Sequence, residues 1–158
     1  MERATKLLLA GSHVAALVLG FAIGIYTLPI LTAPDAPPPE TIAMVETRAN
    51  FFGIVRPDLA GSDALHHGEG KLYVAEDAIA FTGELTPGPD YHLYLSPIFV
   101  ETKAAFEMHK QKMVQVGKIR SFDGFILDVP EHIDPFAYRA AIVWCEQFEM
   151  FITATAYR

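Results

Sequence analysis

A chain of 158 residues with 12 Lys plus Arg against 19 Asp plus Glu carries a formal charge of −7. From Thr41 onward there are 10 basic and 16 acidic residues, and a surface of that sign repels phosphate backbones, which argues against a nucleic-acid partner. Cys145 is the single cysteine. An internal disulfide is therefore excluded, and any folded part must stand on its hydrophobic core.

Residues 1–6 read as a short cytoplasmic tail carrying Arg3 and Lys6. From Leu7 to Leu31 no residue has a formal charge. As a helix this run is about 37 Å long, against a hydrocarbon core of about 30 Å. Asp35 and Glu40 follow it, so the positive-inside rule predicts a cytoplasmic N-terminus and an external remainder. A cleaved signal peptide has a shorter apolar core, of about 7–15 residues. A cut after Ala33 would also set Pro34 beside the scissile bond. Residues 7–31 are therefore expected to be a single-pass transmembrane helix. His13, about two turns in, reads as a neutral imidazole near the interface rather than a proton relay.

Residues 32–63 read as a linker and lead-in. Four prolines between Thr32 and Glu40 favour an extended, semi-stiff spacer. The apolar patch Phe51-Phe52-Gly53-Ile54-Val55 suits either a short helix or an edge strand.

Beyond it, short β-prone runs alternate with turn signals. They are Gly70–Ala75, Ala78–Thr82, Tyr91–Ser96, Val114–Ile119, Phe125–Val129 and Tyr138–Tyr157. The last is long for one strand and is expected to break near Cys145-Glu146-Gln147 into a hairpin. Gly88 and Gly124 fall in turns expected to need left-handed or tight backbone. Glu101–Lys112 has the one clear helical pattern of the external part. The class expected is mainly β: a β-sandwich with one short helix, behind an N-terminal transmembrane helix.

Several motifs stand in a characteristic order. His66-His67-Gly68 comes first, then Gly88-Pro89-Asp90 leading into an aromatic strand. Val116-Gly117-Lys118-Ile119, Phe122-Asp123-Gly124 and Val129-Pro130 follow, and Ile142-Val143-Trp144-Cys145 with Phe148 completes the set. This order resembles the DM-thirteen domain, an electron-transfer domain grouped with the DOMON domains, over residues 64–158. The tail from Val143 through Ala154 is similar to the anchored bacterial branch of that family. The resemblance implies a DOMON-like β-sandwich held at the bacterial inner membrane, in the periplasm or outside the cell. It also implies a redox role centred on the one cysteine, as a bare thiol or as ligand to a haem-like group.

The residues themselves leave two readings of Cys145 open. A lone cysteine at the end of a β-run is commonly an inert core residue, and the acidic neighbours Glu146 and Glu149 oppose thiolate formation. Alternatively, apolar surroundings of Val143, Trp144 and Phe148 suit a flat apolar cofactor whose metal stabilises the thiolate. The candidate redox or cofactor-binding residues are Cys145, Trp144, His92, His66 and His67. His109, His132, Met108, Met113 and Met150 are further candidates to face Cys145 across an iron. The cofactor is unknown; with no Cys-x-x-Cys-His attachment motif, any haem would be non-covalent. Adjacent strand residues point to opposite faces, so His66 and His67 should chelate a metal poorly. Asp123, Asp128, Glu131 and Asp134 read as turn caps and solvated groups. Nothing in the sequence supports a turnover enzyme. The partners expected are the membrane and a redox protein. The competing function is a non-catalytic binding module with Cys145 in its core.

Overall fold

The computed structural model describes residues 2–158. Helix α1 (Glu2–Thr32) is long and apolar enough to cross a membrane, with a mean hydropathy of 2.3 over its most apolar window and none of that window buried. His13 donates from Nδ1 to the Leu9 carbonyl one turn back, at 2.7 Å. This satisfies one ring nitrogen inside the helix itself.

The proline-rich stretch has no regular secondary structure from Ala33 to Pro38, and its last proline opens a second helix, α2 (Pro39–Arg48). Proline suits a first helical position because its missing N–H has no intrahelical partner there. Glu40 in the first turn and Arg48 in the last complement the helix dipole. The apolar patch after it is an edge strand, β1 (Phe51–Val55).

Seven further strands complete two antiparallel four-stranded sheets: β2 (Gly68–Val74), β3 (Ala78–Leu85), β4 (Tyr91–Ser96), β5 (Val114–Ile119), β6 (Gly124–Asp128), β7 (Ala140–Cys145) and β8 (Met150–Ala156). The first sheet has the order β1-β2-β3-β6 and the second β5-β4-β7-β8. The expected hairpin forms: the chain turns at Glu146–Glu149, closed by Glu149 in the left-handed region at φ 48°. The expected helix is shorter than its pattern. It is α3 (Lys103–His109), capped by the Thr102 hydroxyl accepting from the Ala105 N–H, and it continues as a 3-10 turn over Lys110–Lys112.

The molecule is a β-sandwich with a helix on each outer face. Leu72, Val74, Ile79 and Phe81 of the first sheet meet Leu93, Leu95, Val143 and Ile152 of the second between the layers. Ile42 and Val45 of α2 cover Tyr73, Ala78 and Ala80 outside the first sheet. Phe106 of α3 covers Tyr94, Ile142 and Trp144 outside the second. Helical cover explains why β7 is buried at every position instead of alternating. Gly124 does adopt positive φ, at 134°. Gly88 does not; there the Tyr91 ring occupies the space a Cβ would take, so close packing and not handedness requires glycine.

Candidate functional site

Cys145 ends β7 opposite Tyr91 of β4 and Met150 of β8. It belongs to the core between the sheets and is 2% exposed. Burial pushes its thiol above the usual range, while the backbone N–H groups of Phe148, Asp90 and Gln147 pull in the opposite direction and offset only part of the rise. At rest the sulfur is a neutral S–H.

A cavity of about 140 Å³ lies beside it. Cys145, Tyr91, Met150 and Ile152 line the sandwich side, the Pro87-Gly88-Pro89 turn and Phe148 lie at its edge, and α1 supplies Ala22, Ile25 and Tyr26. The Tyr91 phenol is also raised, first by burial, with Cys145 and Tyr26 near enough to add to the effect. A thiol and two phenols therefore share one small, largely apolar chamber.

Of the sequence candidates, His66 joins Cys145 in lining this cavity. Its Nδ1 lies 2.9 Å from both carboxylate oxygens of Asp63. A proton on Nδ1 leaves Nε2 as the free nitrogen. Asp63 is held below the usual carboxylate range, first by its hydrogen bond with His66 and then by the Leu65 N–H. His67 instead donates from Nδ1 to the Asp63 carbonyl at 3.0 Å, and its backbone pairs with Thr86. Both histidines precede β2 in a tight turn, so strand alternation does not govern them.

Trp144 and His92 face the other way. Alternation along β7 turns Trp144 into the layer under α3, where it stacks on Phe106 with ring centroids 4.0 Å apart. Trp144 therefore does not wall the Cys145 chamber, and of the three apolar neighbours expected there only Phe148 lines it. His92 pairs across the strand with Trp144 and spends both ring nitrogens. Nε2 donates to Asp90 at 3.1 Å, and Nδ1 accepts from the Gln115 amide at 2.8 Å.

His92 belongs to a polar chain that composition and spacing did not reveal. Lys118 bonds Asp90 at 2.6 Å, Asp90 meets His92, and Gln115 links His92 to the Tyr94 hydroxyl at 2.9 Å. The single Tyr94 hydroxyl proton is shared between Gln115 and Glu146, and Lys110 grips Glu146 through both oxygens at 3.0 and 3.1 Å. Lys110 lies 5.6–5.7 Å over the rings of Tyr94, Phe106 and Trp144. Burial raises the Glu146 carboxyl, but Tyr94 and Lys110 together outweigh it and leave it below its ordinary value. Glu146 is thus a paired anion that clamps the β7–β8 turn over the aromatic layer. Strand alternation puts His92 and Tyr94 on one face of β4; their polar partners come from Asp90 just before β4, from β5 and from the β7–β8 turn, with Lys110 of the 3-10 turn after α3 behind Glu146, and local pattern does not specify these. Asp134 behaves as expected of a turn cap, accepting from the Phe136 N–H at 2.8 Å.

A family model described as electron transfer DM13 matches residues 60–157. The chain belongs to this family. No curated protein and no solved structure matches it. The DM13 sandwich holds its lone cysteine at the floor of the cavity, and the haem-like group that the resemblance implied is tested there. It does not fit. The chamber is well below the roughly 300–1,000 Å³ of cavities that enclose drug-sized ligands. His92 is on the opposite face with both nitrogens engaged, and of the residues expected to face Cys145 across an iron only His66 and Met150 line the chamber.

Proposed function

We propose that this DM13 protein is a membrane-anchored redox module in which Cys145 acts as a bare thiol outside the cytoplasmic membrane. The observation that carries the reading is the placement of the sole thiol beside a cavity next to the candidate anchor. A neutral S–H suits loss of an electron to a one-electron acceptor, such as a metal centre of a partner protein, with its proton passing to water or a base and a thiyl radical left on the sulfur. It suits nucleophilic attack poorly, because the attacking species is the thiolate. The polar chain outside the second sheet fixes the β7–β8 turn, whose N–H groups face the sulfur.

Thiol chemistry tests this directly. A group raised on folding contributes stability that is fully present below its unfolded pKa and is lost as pH rises through the folded one. For Cys145 that loss starts above about pH 8.5. Alkylation of the folded chain is expected to be slower than that of the denatured chain at pH 8, with the gap narrowing as pH rises. One-electron oxidants should consume one thiol per chain reversibly, and Cys145→Ser should remove that capacity without unfolding the domain. A Cys145 that resists every oxidant until the chain unfolds would instead make it a core residue of a binding module.

Orientation follows from the charge flanks of α1. A reporter fused after Arg158 should be active only outside the cytoplasm, and the mature chain should retain the α1 sequence. Activity only in the cytoplasm would reverse the proposed topology.

A further inference from the structure

The cavity beside Cys145 is bounded on one side by α1, and this decides from which phase a ligand would come. Counting about 1.5 Å per residue from Leu7, a hydrocarbon core of about 30 Å is crossed by Tyr26. The α1 wall therefore lies in the outer half of the hydrocarbon, with Ala22 about 7 Å inside its edge and Tyr26 at the edge, where tyrosines concentrate. On the domain side the same rim exposes Leu65 and Phe148, at 58% and 48%. Two exposed large apolar side chains flanking a membrane-spanning helix are placed to enter lipid.

Size and polarity narrow the occupant. A volume of about 140 Å³ is close to the roughly 150 Å³ apolar cavity that accepts one benzene ring. The walls are mostly aliphatic, yet the Tyr91 phenol, the Cys145 thiol and the His66 imidazole all line the chamber. Hydrogen-bonding groups of this kind suit ring oxygens and have nothing to offer an acyl chain.

We infer that the cavity receives the single ring of a lipid-soluble quinone or quinol, entering from the bilayer past α1 with its tail left in the membrane. This names a ligand class for the cavity and rests on the anchored, outward-facing reading above. The inference is one of binding and does not depend on the thiol being oxidised.

The test uses the full chain in lipid nanodiscs and a benzoquinone carrying a two-unit isoprenoid tail, with empty nanodiscs as the partition blank. The expected result is saturable binding near one per chain. It should be weakened at least tenfold by Ala22→Phe, which fills the α1 wall, and unchanged by Ala10→Phe further along the same helix. A photoreactive form of the quinone should label α1 near Tyr26 and the Glu146–Met150 turn. Binding no greater than in empty discs overturns the inference, as does an Ala22→Phe chain that binds like the wild type. Equal competition by an isoprenoid alcohol with no ring overturns it too, since the chamber would then hold a lipid chain. Quinone binding with an inert Cys145 would count against the thiol reading and leave this site standing. A reactive Cys145 without quinone binding would do the reverse.

Discussion

Replacing Gly83 with alanine should destabilise the sandwich by roughly 3 kcal/mol or more, a large share of a typical domain's stability. Gly83 lies within β3 at φ 140°, a region that side-chain-bearing residues rarely adopt, and faces Gly70 of β2 at φ 153°. A Cβ at Gly83 would be driven into the Glu69 carbonyl and to 2.6 Å from the Gly70 Cα. Backbone cannot yield there as a flexible side chain would, because β2 and β3 are paired along the whole of β2. Gly117→Ala is the matched comparison: its Cβ would meet only Leu127, at 3.6 Å. Chemical denaturation followed by circular dichroism should show a much lower midpoint for the Gly83 variant and a nearly unchanged one for Gly117. Equal midpoints would refute the steric argument.

Trp144→Ala should cost about 3–5 kcal/mol, the range for deleting a large buried aromatic. The ring is 1% exposed, stacks on Phe106 at an interplanar angle of 12°, and lies under the Lys110 ammonium. Trp144→Phe keeps the stack and removes an indole N–H that has no hydrogen-bond partner among the described residues. Its cost should be no more than about 1.5 kcal/mol. The pair of variants also separates packing from redox work. If Trp144 only holds α3 against the second sheet, Trp144→Phe oxidises at Cys145 as the wild type does. A folded phenylalanine variant with a Cys145 that no longer oxidises would make the indole part of the electron path.

Local pattern carried the strands. Strand alternation by itself places Tyr91, Leu93 and Leu95 on one side of β4, and these side chains meet the first sheet in the core. The turn at Glu146–Glu149 was legible because a strand as long as Tyr138–Tyr157 has to break, and polar residues mark the place. The helix α2 was not legible. Its pattern is short and weak, and it is held by Ile42 and Val45 on the alanine-lined face of β2 and β3, a long-range contact. Most helical stability in proteins comes from such packing rather than from propensity.

The candidate site divides in the same way. Residue identity alone established that one thiol exists, that it cannot form an internal disulfide, and that a long uncharged segment precedes the domain. Family resemblance added the order of motifs around Cys145. Which of those residues share a space was decided by tertiary structure, because neighbours in a strand point to opposite faces. Trp144 and Cys145 are adjacent in the chain yet lie on opposite sides of a sheet, whereas Tyr26, His66 and Cys145 are far apart in the chain yet line one cavity. Chain order fixes composition and period, but a cavity forms only where separate elements meet, and its size and its ligand follow from that meeting.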